Sequence, residues 1–574
     1  MTDINTAEYY DVAICGAGLA GLTLARQIKR TLPDCSVVLI DRLTRPLPPA
    51  AFKVGESTVE VGAHYLGAKL GLIDYFDRDH IVKLGLRFFY QNGSKAIQDR
   101  PEWGLAAFPK GNTYQIDRGR LEEDLRRMNV ENGIHLIEGM SVQDVNLAED
   151  ESPHEVLLSS LDRQESRSLK AHWVVDATGR RRMLQKKLGL QRERSLRACS
   201  SAWFRFAGRV DIGDLVPREE AEWHARVPDG MRYHSTNHLM GPGYWVWLIP
   251  LSTGHTSVGI VTIEDVQPFD EYNTYPKAMQ WLRSHEPVLA EYLEGREPQD
   301  FRVMRRYSYT SNQIFSPQRW ACVGEAGVFA DPFYSPGTDI IGFGNTITTE
   351  MIRLDRLGEL TPERVTSYNQ FLISYNDALT ERIQLGYPFF GTAVVMGCKT
   401  VWDTAISWAF VCPQMFNSIY LDPEHLKQIR AVTASFFFLS KRMDQLLVDW
   451  AARAPGRLTF DFFNYLTLDV LRDLRQRNLQ TNKSMAELIA DHEKNMARME
   501  ELAQLIFLLA VEDVIPECLV HFPEPVWINA WVMSLKPERW EQEGLFRPKS
   551  EPRDLSAMRE QIRSLFHLKE AVFA

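Results

Sequence analysis

The sequence has few cysteines and no arrangement of them that suggests a metal. Seven are spread over 574 residues, at 15, 35, 199, 322, 398, 412 and 518, and no two form a C-x-x-C pair. That excludes a zinc ribbon and a disulfide framework, and reduced thiols point to the cytoplasm. An excess of basic charge is also missing. Lys plus Arg is 65 against 75 Asp plus Glu, a net charge of −10, the wrong sign for a bulk nucleic-acid binder. Residues 1–9 lack an apolar signal-peptide core. The longest uncharged run, Thr404 to Leu421, contains Pro413, Gln414 and Asn417 and reads as a buried helix, not a membrane span. There is no G-x-S-x-G, no internal repeat and no low-complexity tract.

What is present is an ordinary globular composition, 45% hydrophobic and 24% charged, with many aromatics: 14 Trp, 29 Phe and 19 Tyr. Most of these rings belong in a core, and some suit a pocket for a flat ligand. Length alone allows three or four bodies at roughly 100–200 residues each. The motifs reduce that number. An apolar strand from Asp11 leads into Gly16-Ala-Gly18-Leu-Ala-Gly21, then an amphipathic helix, then a strand ending in Asp41. In this βαβ unit the first glycine makes the tight turn and the second lets a pyrophosphate approach. The third lets helix and strand pack, and Asp41 accepts from a ribose hydroxyl. Arg42 follows it in a Pro-rich loop reaching Lys53. No second full fingerprint exists, so a two-dinucleotide reductase is excluded. Nucleotide-site motifs recur at Asp176-Ala-Thr-Gly179 and near Gly324. The expected fold class is α/β: a Rossmann-like dinucleotide-binding domain, identified as FAD-binding by the resemblance described next, interleaved with a mainly antiparallel β-sheet substrate domain, together 1–350, with substrate parts about 80–115 and 195–300. A helical C-terminal domain occupies 351–574.

Four motifs carry a resemblance: the fingerprint, Lys53-Val-Gly-Glu56-Ser57, Lys83 in V-K-L-G-L-R-F, and Trp245-Val-Trp247-Leu-Ile249-Pro250. Together they resemble the flavin-dependent halogenases, the tryptophan-halogenase-like branch of the FAD-dependent monooxygenases, over about residues 10–350. The resemblance implies FAD, held at Gly16, Gly18, Gly21, Asp41, Arg42, Glu56, Ser57, Gln115, Arg118, Glu325, Asp331, Gly337 and Thr338. It implies Lys83, Ser335, Trp245 and Trp247 as the catalytic set. The two indoles wall the substrate from the flavin, and Lys83 holds hypohalous acid made from reduced FAD, O₂ and halide (chloride or bromide). Asp176-Ala-Thr-Gly179 lacks the D-G pair that aromatic hydroxylases use for NADPH, which implies that a separate flavin reductase supplies reduced FAD. The substrate expected is an electron-rich aromatic or polyketide-like molecule (phenolic, pyrrolic or enolic), free or carrier-protein-tethered.

Three residues depart from the family pattern. Glu325 stands where Asp is usual. Tyr334 stands where tryptophan halogenases have a Glu that assists deprotonation. Pro336 stands in the turn whose backbone N–H groups hold halide, and proline has no N–H. A monooxygenase or desaturase of the same fold that uses no halide is therefore the rival reading, and a flavin-binding protein without turnover is a second. The aromatic-rich stretch beyond 351, including Phe436, Phe437, Phe438 and Tyr465, is expected to cap the substrate cavity.

Overall fold

The computed structural model describes residues 8–45, 53–91, 95–192, 197–453, 456–547 and 551–569. Most of the Pro-rich loop after Arg45 lies outside them.

Two large sheets organise the chain. In the first, the strand Glu8–Cys15 pairs in parallel with Val37–Ile40 on one side and Ser166–Asp176 on the other. Trp320–Cys322 extends the parallel order beyond Asp176, and His135–Ile137 extends it beyond Ile40. The central strands are apolar on both faces because helices cover both, as parallel sheets require. Leu19–Thr31 is one of these helices, and it packs against Gly337–Arg356.

The second sheet has eight strands. Cys199–Ala207, His255–Ile263, Tyr244–Pro250 and Thr236–Gly241 run antiparallel in that order. Leu86–Tyr90 joins in parallel, followed by Glu102–Gly104. Its last strand is Phe462–Asn464, from far beyond residue 351. The C-terminal region is thus helical for most of its length but also completes the second sheet. Its longest helix, Met485–Val514, is opened by a Ser484–Glu487 capping box, each side chain satisfying the other's free backbone N–H. No helix among the described residues is long and apolar enough to cross a membrane.

Candidate active site

The glycine fingerprint is built as its chemistry requires. A Cβ on Gly16, whose φ is +119°, would sit 2.4 Å from the Ala177 carbonyl oxygen, and one on Gly21 would sit 2.0 Å from that of Gly16. A Cβ on Gly18 meets nothing within 4 Å. The outer glycines therefore let chain pack on chain, and the middle one faces open space at the start of the helix Leu19–Thr31, where phosphates fit. Asp41 ends its strand as expected, but its carboxylate is engaged by Arg126, which also donates to Ala17 O at 2.8 Å. Arg42 follows it. It is exposed and makes no ion pair or hydrogen bond among the described residues, so the guanidinium beside Asp41 comes from the helix Arg118–Glu131 instead.

Beyond the fingerprint lies a chamber of about 1100 Å³ of atom-free space, mouth included. Leu19, Glu56, Ser57, Arg118, Trp245, Trp247, Glu325, Ser335, Gly337 and Thr338 are among the residues lining it. The two indoles stand side by side, ring centroids 5.7 Å apart, on one face of their strand. Trp247 lies across the next strand, where Gly259 leaves it room: a Cβ there would be 2.2 Å from the indole. Trp245 Nε1 donates to Tyr387 Oη at 3.0 Å.

FAD fits these residues. The chamber is mostly apolar, as a flavin ring needs. Buried Glu56 points an oxygen, Oε2, that has no hydrogen-bond partner, while Oε1 is held by Arg205 at 2.8 Å. Burial pushes the pKa values of Glu56 and Glu325 up. Arg118 lines the chamber and donates to Val54 O at 2.7 Å. The helix Gly337–Arg356 starts here, its positive end toward the chamber.

Two expected contacts lie elsewhere. Gln115 is buried behind the wall, its backbone bridged to Ser57 of the rim while its side chain accepts from Thr236 Oγ1 at 3.0 Å and does not line the chamber. Asp331 accepts from Tyr387 Oη at 3.1 Å and Phe333 N at 3.1 Å and does not line the chamber. Burial pushes its pKa up to about 6.

A second chamber of about 1040 Å³ adjoins the first. Lys83, Trp103, Tyr334, Tyr375, Trp408 and Tyr465 line it, and Pro336 lines both chambers. Lys83 is 2% exposed, and burial lowers its pKa to about 7 against the opposing pull of Glu60 and Asp339. Its ammonium donates to Thr58 O at 2.8 Å and Ser57 Oγ at 2.7 Å. Ser335 Oγ meets the same Ser57 hydroxyl at 3.0 Å, and Thr236 Oγ1 meets it at 3.0 Å. Ser57 thus joins the lysine of one chamber to the serine of the other.

The indoles line only the first chamber. The cap over the second comes from the C-terminal region through Tyr375, Trp408 and Tyr465. Phe437 and Phe438 are not part of it; both are exposed. Sequence reasoning also missed Arg382 and Asp403, which sit in this chamber on two of the C-terminal helices. No local motif marks them.

A family model described as tryptophan halogenase matches residues 95–389, slightly more than half of the chain. The flavin-dependent halogenase chlA of Dictyostelium discoideum is 25% identical over 449 residues, covering 73% of this chain and 73% of that protein. The 1H-pyrrole-2-carbonyl-(peptidyl-carrier protein) chlorinase of Pseudomonas fluorescens is 24% identical over 345 residues, 58% of this chain and 73% of that one. Among solved structures, halogenase PltM in complex with phloroglucinol and FAD superimposes with a TM-score of 0.59 at 17% identity, covering 86% of this chain and 96% of that one. The chain belongs to the tryptophan halogenase family, FAD-dependent oxidoreductases that use halide.

Proposed function

We propose that this enzyme halogenates an electron-rich aromatic or enolic small molecule of specialised metabolism, bound in the Lys83 chamber. It works in the cytoplasm on reduced FAD delivered by a separate flavin reductase. The observation that carries this reading is the Lys83–Ser57–Ser335 line across the wall between the chambers. Bound reduced FAD supplies the two electrons that, with O₂ and halide, give hypohalous acid.

The protein's own residues do the rest. Trp245, Trp247 and Ile249 fill the chamber wall and exclude water. The first N–H groups of the helix Gly337–Arg356 offer an anion its hydrogen bonds. Lys83, poised near neutrality by burial, is both a donor to the oxygen of hypohalous acid and, deprotonated, a nucleophile toward its halogen. Ser57 holds the amine's position and links it to Ser335.

The halide-free reading rests on Pro336, which caps the helix without an N–H. One experiment separates the two. Reduced FAD from an unrelated reductase is supplied with bromide or chloride and phenolic, pyrrolic and enolic acceptors, each free and as a carrier thioester. Mass spectrometry is expected to show halogen replacing hydrogen. Oxygen gained without halogen in every acceptor overturns the proposal.

A further inference from the structure

The substrate chamber holds an ion pair, Arg382 with Asp403, that stops short of a hydrogen bond. Asp403 is 7% exposed, and its Oδ2 is saturated by Tyr334 Oη at 2.9 Å and by the Lys399 ammonium. Its Oδ1 is buried and has no hydrogen-bond partner. The Arg382 Nε stands 4.0 Å away, too far for a hydrogen bond, and the guanidinium makes none elsewhere among the described residues. An acceptor without a hydrogen bond thus faces a guanidinium paired to it only at long range, both on the chamber wall that Lys83 shares. Aromatic rings of Trp103, Tyr375, Trp408 and Tyr465 line the remaining space.

A small group that both donates and accepts satisfies both. A carboxylate accepts from Arg382 but is repelled by Asp403. A pyrrole N–H donates to Asp403 but leaves Arg382 bare, and a methyl ether cannot donate at all. A hydroxyl donates to Oδ1 and accepts from the half-buried guanidinium, and leaving the buried Oδ1 unpaired is costly. We infer that Asp403 and Arg382 form a hydroxyl-binding site that selects phenolic or enolic substrates, with Asp403 as the base that activates them. This rests on the reading of the Lys83 chamber as the substrate site.

The step balances. The substrate O–H proton passes to Asp403 Oδ1, and the oxygen's electrons move into the ring. A ring carbon ortho or para to it attacks the halogen of hypohalous acid at Lys83. The C–X bond forms and the X–O bond breaks, its pair leaving on hydroxide. The hydroxide takes the proton from the attacked carbon as water and restores aromaticity, and Asp403 returns its own proton to the phenolate oxygen. The net change is an aryl C–H plus hypohalous acid giving an aryl halide plus water. Tyr334 acts through Asp403 as a positioning residue.

The test uses the FAD-loaded enzyme. Binding of resorcinol and of 1,3-dimethoxybenzene is followed by quenching of tryptophan fluorescence, and turnover of each by mass spectrometry. Wild type is expected to bind resorcinol at least about tenfold more tightly than its ether. Asp403→Asn and Arg382→Met should bring the two within about twofold. Arg382→Met leaves the Lys399–Asp403 pair intact and carries the test if Asp403→Asn does not fold. A wild type without preference, or variants that keep it, overturns the inference. Absence of halogenated product from wild type with every acceptor would instead defeat the proposed function, and the binding preference would still be readable.

Discussion

Lys83 Nζ lies 2.7 Å from Ser57 Oγ, inside the protein, with 2% of the lysine exposed. A lysine in that position keeps its charge only against the cost of burial, and its pKa falls to about 7. Two kinds of measurement follow, one of stability and one of chemistry.

The stability effect has a definite sign. Folded Lys83 loses its proton near pH 7, whereas the unfolded side chain keeps it to about 10.4. Between those values the unfolded state binds more protons, so the folded state gains stability as pH rises, by at most about 1.4 kcal/mol per pH unit. Lys83→Met removes this dependence. In urea melts the variant should exceed wild type most below pH 7, and the gap should close from pH 7 to 10. A gap that does not change with pH would mean that the amine is solvated in the folded protein.

For the chemistry, Lys83→Ala should abolish halogenated product while reduced FAD is still consumed. Ser57→Ala removes the hydroxyl that Lys83 and Ser335 share. A hydrogen bond to a charged group contributes about 1.5–3 kcal/mol, so product formed per flavin oxidised should fall on the order of 10-fold or more. Ser57→Thr keeps a hydroxyl and should recover part of the yield. Product yield unaltered by Ser57→Ala would remove the hydroxyl from the mechanism.

The three fingerprint glycines should separate by phenotype. Gly16→Ala and Gly21→Ala place a methyl inside backbone carbonyls and should lower the melting temperature or prevent folding. Gly18→Ala meets open space and should fold like wild type. Its methyl then occupies the path of the phosphates, so FAD affinity in a fluorescence titration should drop on the order of 10-fold or more. A Gly18→Ala protein that melts early and binds FAD normally would reverse this assignment.

These three glycines, Lys83 and the two indoles were legible because each is fixed by neighbours close in sequence: a strand–turn–helix, a short strand, and a period of two. What was not legible depends on distant pairings. Arg126 pairs with Asp41 because a helix 85 residues on packs against that strand's end. Asp331 leaves the flavin chamber because Tyr387, 56 residues later, offers it a hydroxyl. Arg382 and Asp403 belong to helices with no family motif, and only the closing of those helices over the Lys83 chamber gives them a role. The completion of the second sheet by Phe462–Asn464 has the same character: a three-residue strand carries no period of its own.

Pro336 is the residue on which halide use turns. It caps the helix Gly337–Arg356 at φ −81° and ψ 0°, a conformation any residue adopts, and it borders both chambers. Pro336→Ala therefore restores an N–H at little conformational cost, under about 1 kcal/mol of lost chain stiffness. If halide sits on the N–H groups of this turn, an added charge-assisted donor strengthens it by about 1.5–3 kcal/mol. The half-saturating bromide concentration in the halogenation assay should then fall on the order of 10-fold, with the half-saturating phenol concentration unchanged. A bromide dependence identical to wild type would place the halide away from this turn, and the N–H groups of Gly337 and Thr338 would lose their assigned part along with it.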